Sequence, residues 1–194
     1  MSTVTAASTT RSTARIVLVY GLLAGLIVAV PMVALMVTLT AETAPQYGAV
    51  YGYLTMIIAL TAVFLGVKRY RDRVLGGAVR FVPALLVGLA ISAVASVIYA
   101  IGWEVSLALS GFDLPAAYTK EMVAAARAQG ASAAEIERAA EQGAAFARLY
   151  ANPLYRFPIT FVEIFPIGVV IAAISAALFR NSRFLPARDV HSAR

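Results

Sequence analysis

The sequence predicts an all-α membrane protein with four transmembrane helices in an antiparallel bundle. The 194 residues are 61% hydrophobic and only 13% charged, with a mean hydropathy of +0.81, whereas soluble domains carry about 25% charged residues. The apolar residues are concentrated in four long runs, each long enough to cross a hydrocarbon core of about 30 Å as a helix. The basic residues cluster in alternate connecting segments, which adds an orientation to this fold class.

The four apolar runs define the predicted transmembrane helices. They lie at about 16–40, 47–67, 81–109 and 157–179. The first run is far longer than the apolar part of a cleaved signal peptide, which has about 7 to 15 residues, so we interpret it as a span. The turn at 41–46 is so short that the first two spans should be adjacent and antiparallel.

Eleven of the sixteen Lys and Arg residues fall in three clusters outside the apolar runs. The clusters are Arg11 and Arg15; Lys68, Arg69, Arg71, Arg73 and Arg80; and Arg180, Arg183, Arg188 and Arg194. Because Lys and Arg near membrane ends are retained on the cytoplasmic side, all three clusters and both termini are predicted to be cytoplasmic, in a bacterial inner membrane. Residues 1–15 and 182–194 are then mobile tails, the second of them basic, on a membrane domain at 16–181.

The formal net charge of +6 raises the question of a nucleic-acid partner. A basic surface that binds nucleic acid would be continuous, whereas here the charge is divided among three membrane-flanking segments. We therefore predict no nucleic-acid partner. The expected partners are the lipid bilayer itself and the anionic headgroups beside the basic segments, which contribute about 1 kcal/mol per basic residue. The sequence is also consistent with a membrane-protein partner or a homo-oligomer.

The segment between the third and fourth spans is polar and rich in alanine. Asp113 followed by Pro115 is typical of a helix start, and Ser132 with Glu135 forms a capping box. These signals predict an amphipathic helical hairpin at about 113–150 on the periplasmic side. One face of its second helix should rest on the membrane or the mouth of the bundle. That face carries Ile136, Ala140, Gly143, Ala147 and Tyr150.

Small residues recur at four-residue spacing in every span. The third span has the longest such series, namely Ala84, Gly88, Ser92, Ser96 and Ala100. Small residues let membrane helices approach closely, either within one chain or between two copies. Because all four spans carry the pattern, packing within the chain is the favoured interpretation and homodimerisation the alternative.

Two acidic residues lie within the predicted spans, where an ionisable group is a candidate for function. Glu104 extends the small-residue series of the third span, and Glu163 lies about 8 Å outside the middle of the fourth. Arg156 precedes Glu163 by two helical turns and could reach it. These three residues are the candidate polar cluster, either responsive to a proton or ligand or serving as an interhelical hydrogen-bond network. Glu163 shares a helix face with Thr160, Ile167 and Val170, and both faces of this helix are expected to be packed.

The sequence predicts no catalytic residue, no cofactor and no metal site. It contains no Cys, and its only His is His191 in the C-terminal tail. It has no phosphate-binding glycine loop, no nucleophile elbow and no HExxH motif. The protein is therefore expected not to be an enzyme.

Several short motifs resemble those of a bacterial family of four-helix integral membrane proteins catalogued only as a domain of unknown function. The motifs are the stretches 66–72 with Gly76 and Gly77, 103–104, 152–156 and 160–168. The resemblance implies a four-span inner-membrane protein with a long outer segment before the last span, and it supplies no activity. Two functions are consistent with the sequence. The first is a non-enzymatic scaffold or accessory subunit with a periplasmic interaction hairpin, and the second is a small transporter or channel component that uses Glu104 and Glu163.

Overall fold

The computed structural model describes residues 2–38 and 45–187, with side chains at 9–38, at 52 and from 54 to 187. Every regular element in this part of the chain is an α-helix, which confirms the all-α prediction. The six helices are α1 (Ser2–Thr38), α2 (Pro45–Arg73), α3 (Phe81–Ser110), α4 (Leu114–Ala128), α5 (Ala133–Tyr150) and α6 (Pro153–Phe179). Most of the predicted turn at 41–46 and the end of the C-terminal tail, including His191, lie outside the described residues.

Three of the described helices are long and apolar enough to cross a membrane. They are residues Thr9–Thr38 of α1, together with α3 and α6. Large apolar side chains are exposed on all three, for example Val30 at 59%, Leu86 at 59% and Val170 at 57%. Such surfaces are favourable against lipid and costly against water. The chain therefore has the character of a multi-pass membrane protein.

α1 begins before its predicted span and α2 ends after its predicted span, because no helix-breaking residue lies just beyond these two boundaries. α1 begins at Ser2 rather than near residue 16, since no Gly or Pro interrupts the Ser- and Thr-rich segment. α2 continues to Arg73, through part of the predicted basic turn, and the chain turns only at Gly76 and Gly77, whose φ values are +69° and +103°. Once a helix is nucleated, each further residue adds a hydrogen bond, so elongation stops where a residue opposes it.

Helix α3 lies between α1 and α6 and also contacts α2. Gly25 of α1 lies so close to α3 that a Cβ placed on it would be 2.5 Å from the Cβ of Ile98. On the opposite side, a Cβ on Gly88 would be 2.7 Å from that of Ala172 in α6. The small residues at these positions therefore serve close packing within one chain, as the favoured interpretation predicted.

Helices α4 and α5 form the predicted hairpin and pack on each other. The Asp113 side chain accepts a hydrogen bond from the backbone of Ala116 at 2.9 Å, and Ser132 and Glu135 form the predicted capping box. Hydrogen bonds from Ser132 hold the pKa of the exposed Glu135 carboxyl below its usual range. Gly143 lies directly against Thr119 of α4. The apolar face of α5 therefore contacts α4 at Gly143.

Candidate functional site

Two residues of the predicted cluster, Glu104 and Arg156, form an ion pair. The pair lies at the hairpin end of the molecule. Arg156, in the first turn of α6, donates from Nε to Glu104 Oε1 of α3 at 2.7 Å and from Nη2 to Glu104 Oε2. The side chains are 17% and 30% exposed. A guanidinium that holds a carboxylate through two parallel bonds fixes distance and orientation together. The pair therefore joins α3 to α6 where the hairpin meets these helices.

The last residue of the hairpin is attached to the same pair. The Tyr150 backbone carbonyl accepts a bond from Arg156 Nη1 at 3.2 Å, and the guanidinium carbon lies 5.4 Å from the Tyr150 ring centroid. Trp103 Nε1 donates to the Tyr150 hydroxyl oxygen at 2.6 Å. Burial raises the pKa of the Tyr150 phenol, although the Trp103 bond and the Arg156 charge oppose this effect. We name Trp103, Glu104, Tyr150 and Arg156 the hairpin latch.

The sequence reasoning did not find the tyrosine and tryptophan of the hairpin latch. In the sequence, Trp103 stands only in the short motif 103–104, and Tyr150 only on the apolar face of the second hairpin helix. Their hydrogen bond joins residues that are 47 positions apart, so no local spacing indicates it. The Asn152 side chain, which accepts a bond from Leu154 N at 3.0 Å, starts α6 immediately after α5 and so brings Arg156 beside Tyr150.

The third predicted residue, Glu163, is separate from this latch. Its carboxylate accepts a hydrogen bond from the Tyr99 hydroxyl at 3.2 Å, and Tyr99 itself is only 6% exposed. Arg156 does not pair with Glu163 in the structure: its Nε and Nη2 donate to Glu104, and its Nη1 donates to the Tyr150 carbonyl. Glu163 is exposed on the surface of α6, as is Val170 two turns later. The expectation that this face of α6 would be packed is therefore wrong at these two positions.

The hydroxyl groups that could continue a polar path into the helices bond to their own backbone. Ser92, Ser96 and Ser106 of α3 each donate to the carbonyl four residues earlier, at distances between 2.8 and 2.9 Å. Thr160 of α6 does the same with the carbonyl of Arg156 at 3.1 Å. These side chains act as small packing residues whose polar atoms are satisfied locally. Among the described residues, no three His, Asp or Glu side chains come together closely enough to hold a metal ion.

One family model matches the chain over residues 19–181. This range includes the Glu104–Arg156 pair and the Glu163–Tyr99 pair. The description of the family is protein of unknown function, DUF4199. The chain belongs to this family. No curated protein and no solved structure gave a match. Membership confirms the resemblance that the short motifs indicated. Because the family description assigns no activity, the candidate site of this DUF4199 protein is argued from its geometry alone.

At the opposite end of the DUF4199 protein, a second polar cluster surrounds a buried arginine. Arg71 of α2 is 0% exposed and donates to the backbone carbonyls of Phe184 at 2.8 Å and Leu185 at 2.5 Å. Its Nε donates to Asp72 at 2.7 Å, and its guanidinium carbon lies 4.8 Å from the Phe179 ring centroid. The chain after α6 is thereby held against the end of α2.

Sequence reasoning counted Arg71 among the residues that face lipid headgroups, and its burial corrects that assignment. Arg69, Arg73 and Arg80 of the same cluster are exposed. Burial would raise the pKa of the neighbouring Asp72 carboxyl, but hydrogen bonds and charge from Arg71 and Lys68 outweigh that effect and lower it. Asp72 therefore stabilises the fold above its unfolded-state pKa, and this contribution is lost as the pH falls through the lowered folded-state value.

Proposed function

We propose that the protein is a non-enzymatic scaffold or accessory subunit of the bacterial inner membrane, with a periplasmic hairpin that serves as its interaction surface. The observation that carries this proposal is the hairpin latch. Tyr150 is bonded to Trp103 of α3 and to Arg156 of α6, so the hairpin is held at a fixed position on the membrane helices. A surface held in one orientation binds a partner with a smaller loss of conformational entropy than a mobile loop.

The proposed membrane arrangement has four antiparallel spans, with α2 as the second. Residues 47–67 contain no charged side chain, and α2 packs with α1, α3 and α6. The exposed Arg69, Arg73 and Arg80 lie at the end of α2 and the start of α3, while the hairpin follows the other end of α3. This polarity supports cytoplasmic termini, with the basic segments facing anionic headgroups. The membrane-protein partner, or a second copy, would bind at the hairpin.

The absence of cysteine allows a direct test of this arrangement. In intact spheroplasts, a Gln129→Cys variant should react with a membrane-impermeant maleimide, because the α4–α5 turn is proposed to face outward. An Arg73→Cys variant should react only after the membrane is permeabilised. Both positions are exposed, so equal reactivity after permeabilisation provides the control. Equal labelling of the two variants in sealed spheroplasts would contradict the four-span arrangement.

The second candidate function is a small transporter or channel component that uses Glu104 and Glu163. The exposure of Glu163, together with its hydrogen bond to a neutral hydroxyl, favours this alternative. Glu104 is already neutralised by Arg156, so it would support the site rather than bind solute.

A Glu163→Gln variant separates the two functions in proteoliposomes. If the protein is a scaffold, wild-type and variant vesicles should show the same background proton flux under an imposed pH gradient. A flux above background that the variant abolishes, with its thermal stability unchanged, would instead establish the transport function and exclude the pure scaffold. Glu137→Gln on the exposed face of α5 is the matched control, because it makes the same chemical change outside the spans.

A further inference from the structure

Glu163 occupies an unusual position for a carboxylate. It is the only ionisable residue in 157–179, and it lies about 8 Å from the middle of that stretch, within the thickness of a hydrocarbon core. Its side chain is nevertheless exposed on the protein surface. The neighbouring exposed residues of α6 are apolar, with Ile159 at 44% and Val162 at 59%. In the proposed arrangement, this carboxylate opens toward the lipid.

Among the described residues, no Lys or Arg forms an ion pair with Glu163. The sequence has no Lys or Arg between Arg15 and Lys68 or between Arg80 and Lys120, so α2 up to residue 67 and the whole of α3 carry none. Arg156, on the same helix, donates from Nε and Nη2 to Glu104 and from Nη1 to the Tyr150 carbonyl. A carboxylate at this depth is costly unless a positive charge or hydrogen-bond donors accompany it. A positive charge on another molecule would therefore stabilise the carboxylate at this position.

The oxygen atoms of the site restrict the kind of cation that it can hold. Glu163 offers one carboxylate and Tyr99 one hydroxyl, whose ring is fixed by burial among Val28, Met56 and Ile164. Calcium takes six to eight oxygen ligands, and magnesium needs a nearly octahedral set with several waters retained. One exposed carboxylate and one buried hydroxyl are a poor match for such ions. The Glu163 carboxylate and the Tyr99 hydroxyl instead suit an organic cation with one delocalised positive charge and an apolar body. Such a cation needs few direct oxygen ligands.

We propose that Glu163 and Tyr99 form a binding site, open to the bilayer, for a hydrophobic organic monocation. The Glu163 carboxylate pairs with the charge of the ligand, and the exposed apolar face of α6 contacts its body. The Tyr99 hydroxyl orients the carboxylate. This inference rests on the proposed membrane placement and gives the second candidate function a ligand class.

Binding of tetraphenylphosphonium to the full-length protein in lipid nanodiscs tests the site, with calorimetry as the measurement. Wild type is expected to bind about one cation per chain and to bind the neutral analogue triphenylphosphine oxide far more weakly. Glu163→Gln should weaken tetraphenylphosphonium binding by at least about tenfold, which corresponds to ~1.4 kcal/mol. Glu163→Asp keeps the charge and should retain most of the affinity, so that loss of charge is distinguished from loss of fold. Glu137→Gln is the control outside the site.

Equal binding of the cation and its neutral analogue, or equal binding by wild type and Glu163→Gln, would overturn the proposal. A shift of the wild-type oligomer to a smaller species in Glu163→Gln, with no cation binding by either protein, would assign the carboxylate to a contact between copies and would also overturn it. Either result would leave the maleimide labelling pattern unchanged and the scaffold function standing. A reversed labelling pattern of the two cysteine variants would instead contradict the proposed membrane arrangement itself.

Discussion

Replacing Arg71 by alanine is expected to lower the free energy of unfolding by about 3 to 5 kcal/mol. The side chain is fully buried, and its guanidinium supplies the hydrogen bonds to the carbonyls of Phe184 and Leu185. Removal leaves two carbonyls without a donor, a half-neutralised Asp72 and a cavity beside Phe179. Because these losses occur at one site, the effect should exceed that of any other single basic residue in the cluster.

The matched control for this substitution is Arg69→Ala, which removes the same side chain from an exposed position two residues earlier. It should change stability by less than about 0.5 kcal/mol. Thermal unfolding in detergent measures both variants, and the rate of tryptic cleavage at Arg183 reports whether the chain after α6 has been released. Equal melting temperatures and equal cleavage rates for the two variants would contradict the assigned role of Arg71. Arg71→Lys should be intermediate, since an ammonium cannot reproduce the planar fork of the guanidinium.

Arg71 also illustrates where prediction from the sequence stops. The rule that basic residues flank membrane spans treats every Lys and Arg near a span as interfacial. It cannot separate Arg69 from Arg71, because the difference depends on carbonyl groups 113 and 114 residues further along the chain. Helix α3 and the capping box of α5, in contrast, were predicted nearly residue by residue, since their signals lie within a few positions of each other.

The candidate site was also predicted only in part. Its residue types and its position along the chain follow from the sequence, because an acidic residue in an apolar run is visible by inspection. Which acid meets Arg156 does not follow, because it depends on how α3 and α6 are rotated about their axes. In the structure, Arg156 forms an ion pair with Glu104, and Glu163 accepts a hydrogen bond from Tyr99. One acid is thus paired within the chain, and the proposed ligand site depends on the other.

Replacing Arg156 by alanine is expected to lower the free energy of unfolding by about 2 to 3 kcal/mol, between the values for buried and for surface ion pairs. The partly exposed Glu104 would lose both of its charge-assisted bonds, and the Tyr150 carbonyl would lose a donor. The hairpin should therefore loosen before the membrane helices separate. Trp103 is the only tryptophan of the chain and bonds directly to Tyr150, so its fluorescence reports this loosening without an added label.

A double-mutant cycle with Glu104→Gln separates the ion pair from the other contacts of Arg156. If the pair holds the latch, the double variant should be little less stable than Arg156→Ala alone, with a coupling energy of about 1 to 3 kcal/mol. Arg148→Ala, at an exposed position on the same hairpin, should leave both stability and Trp103 emission unchanged. Additive losses in the cycle, or an emission spectrum that Arg156→Ala does not alter, would show that α5 is held by its packing on α4 and not by the latch. In that case the hairpin would be free to move as a unit on the membrane helices, and a scaffold that depends on its fixed orientation would lose its structural basis.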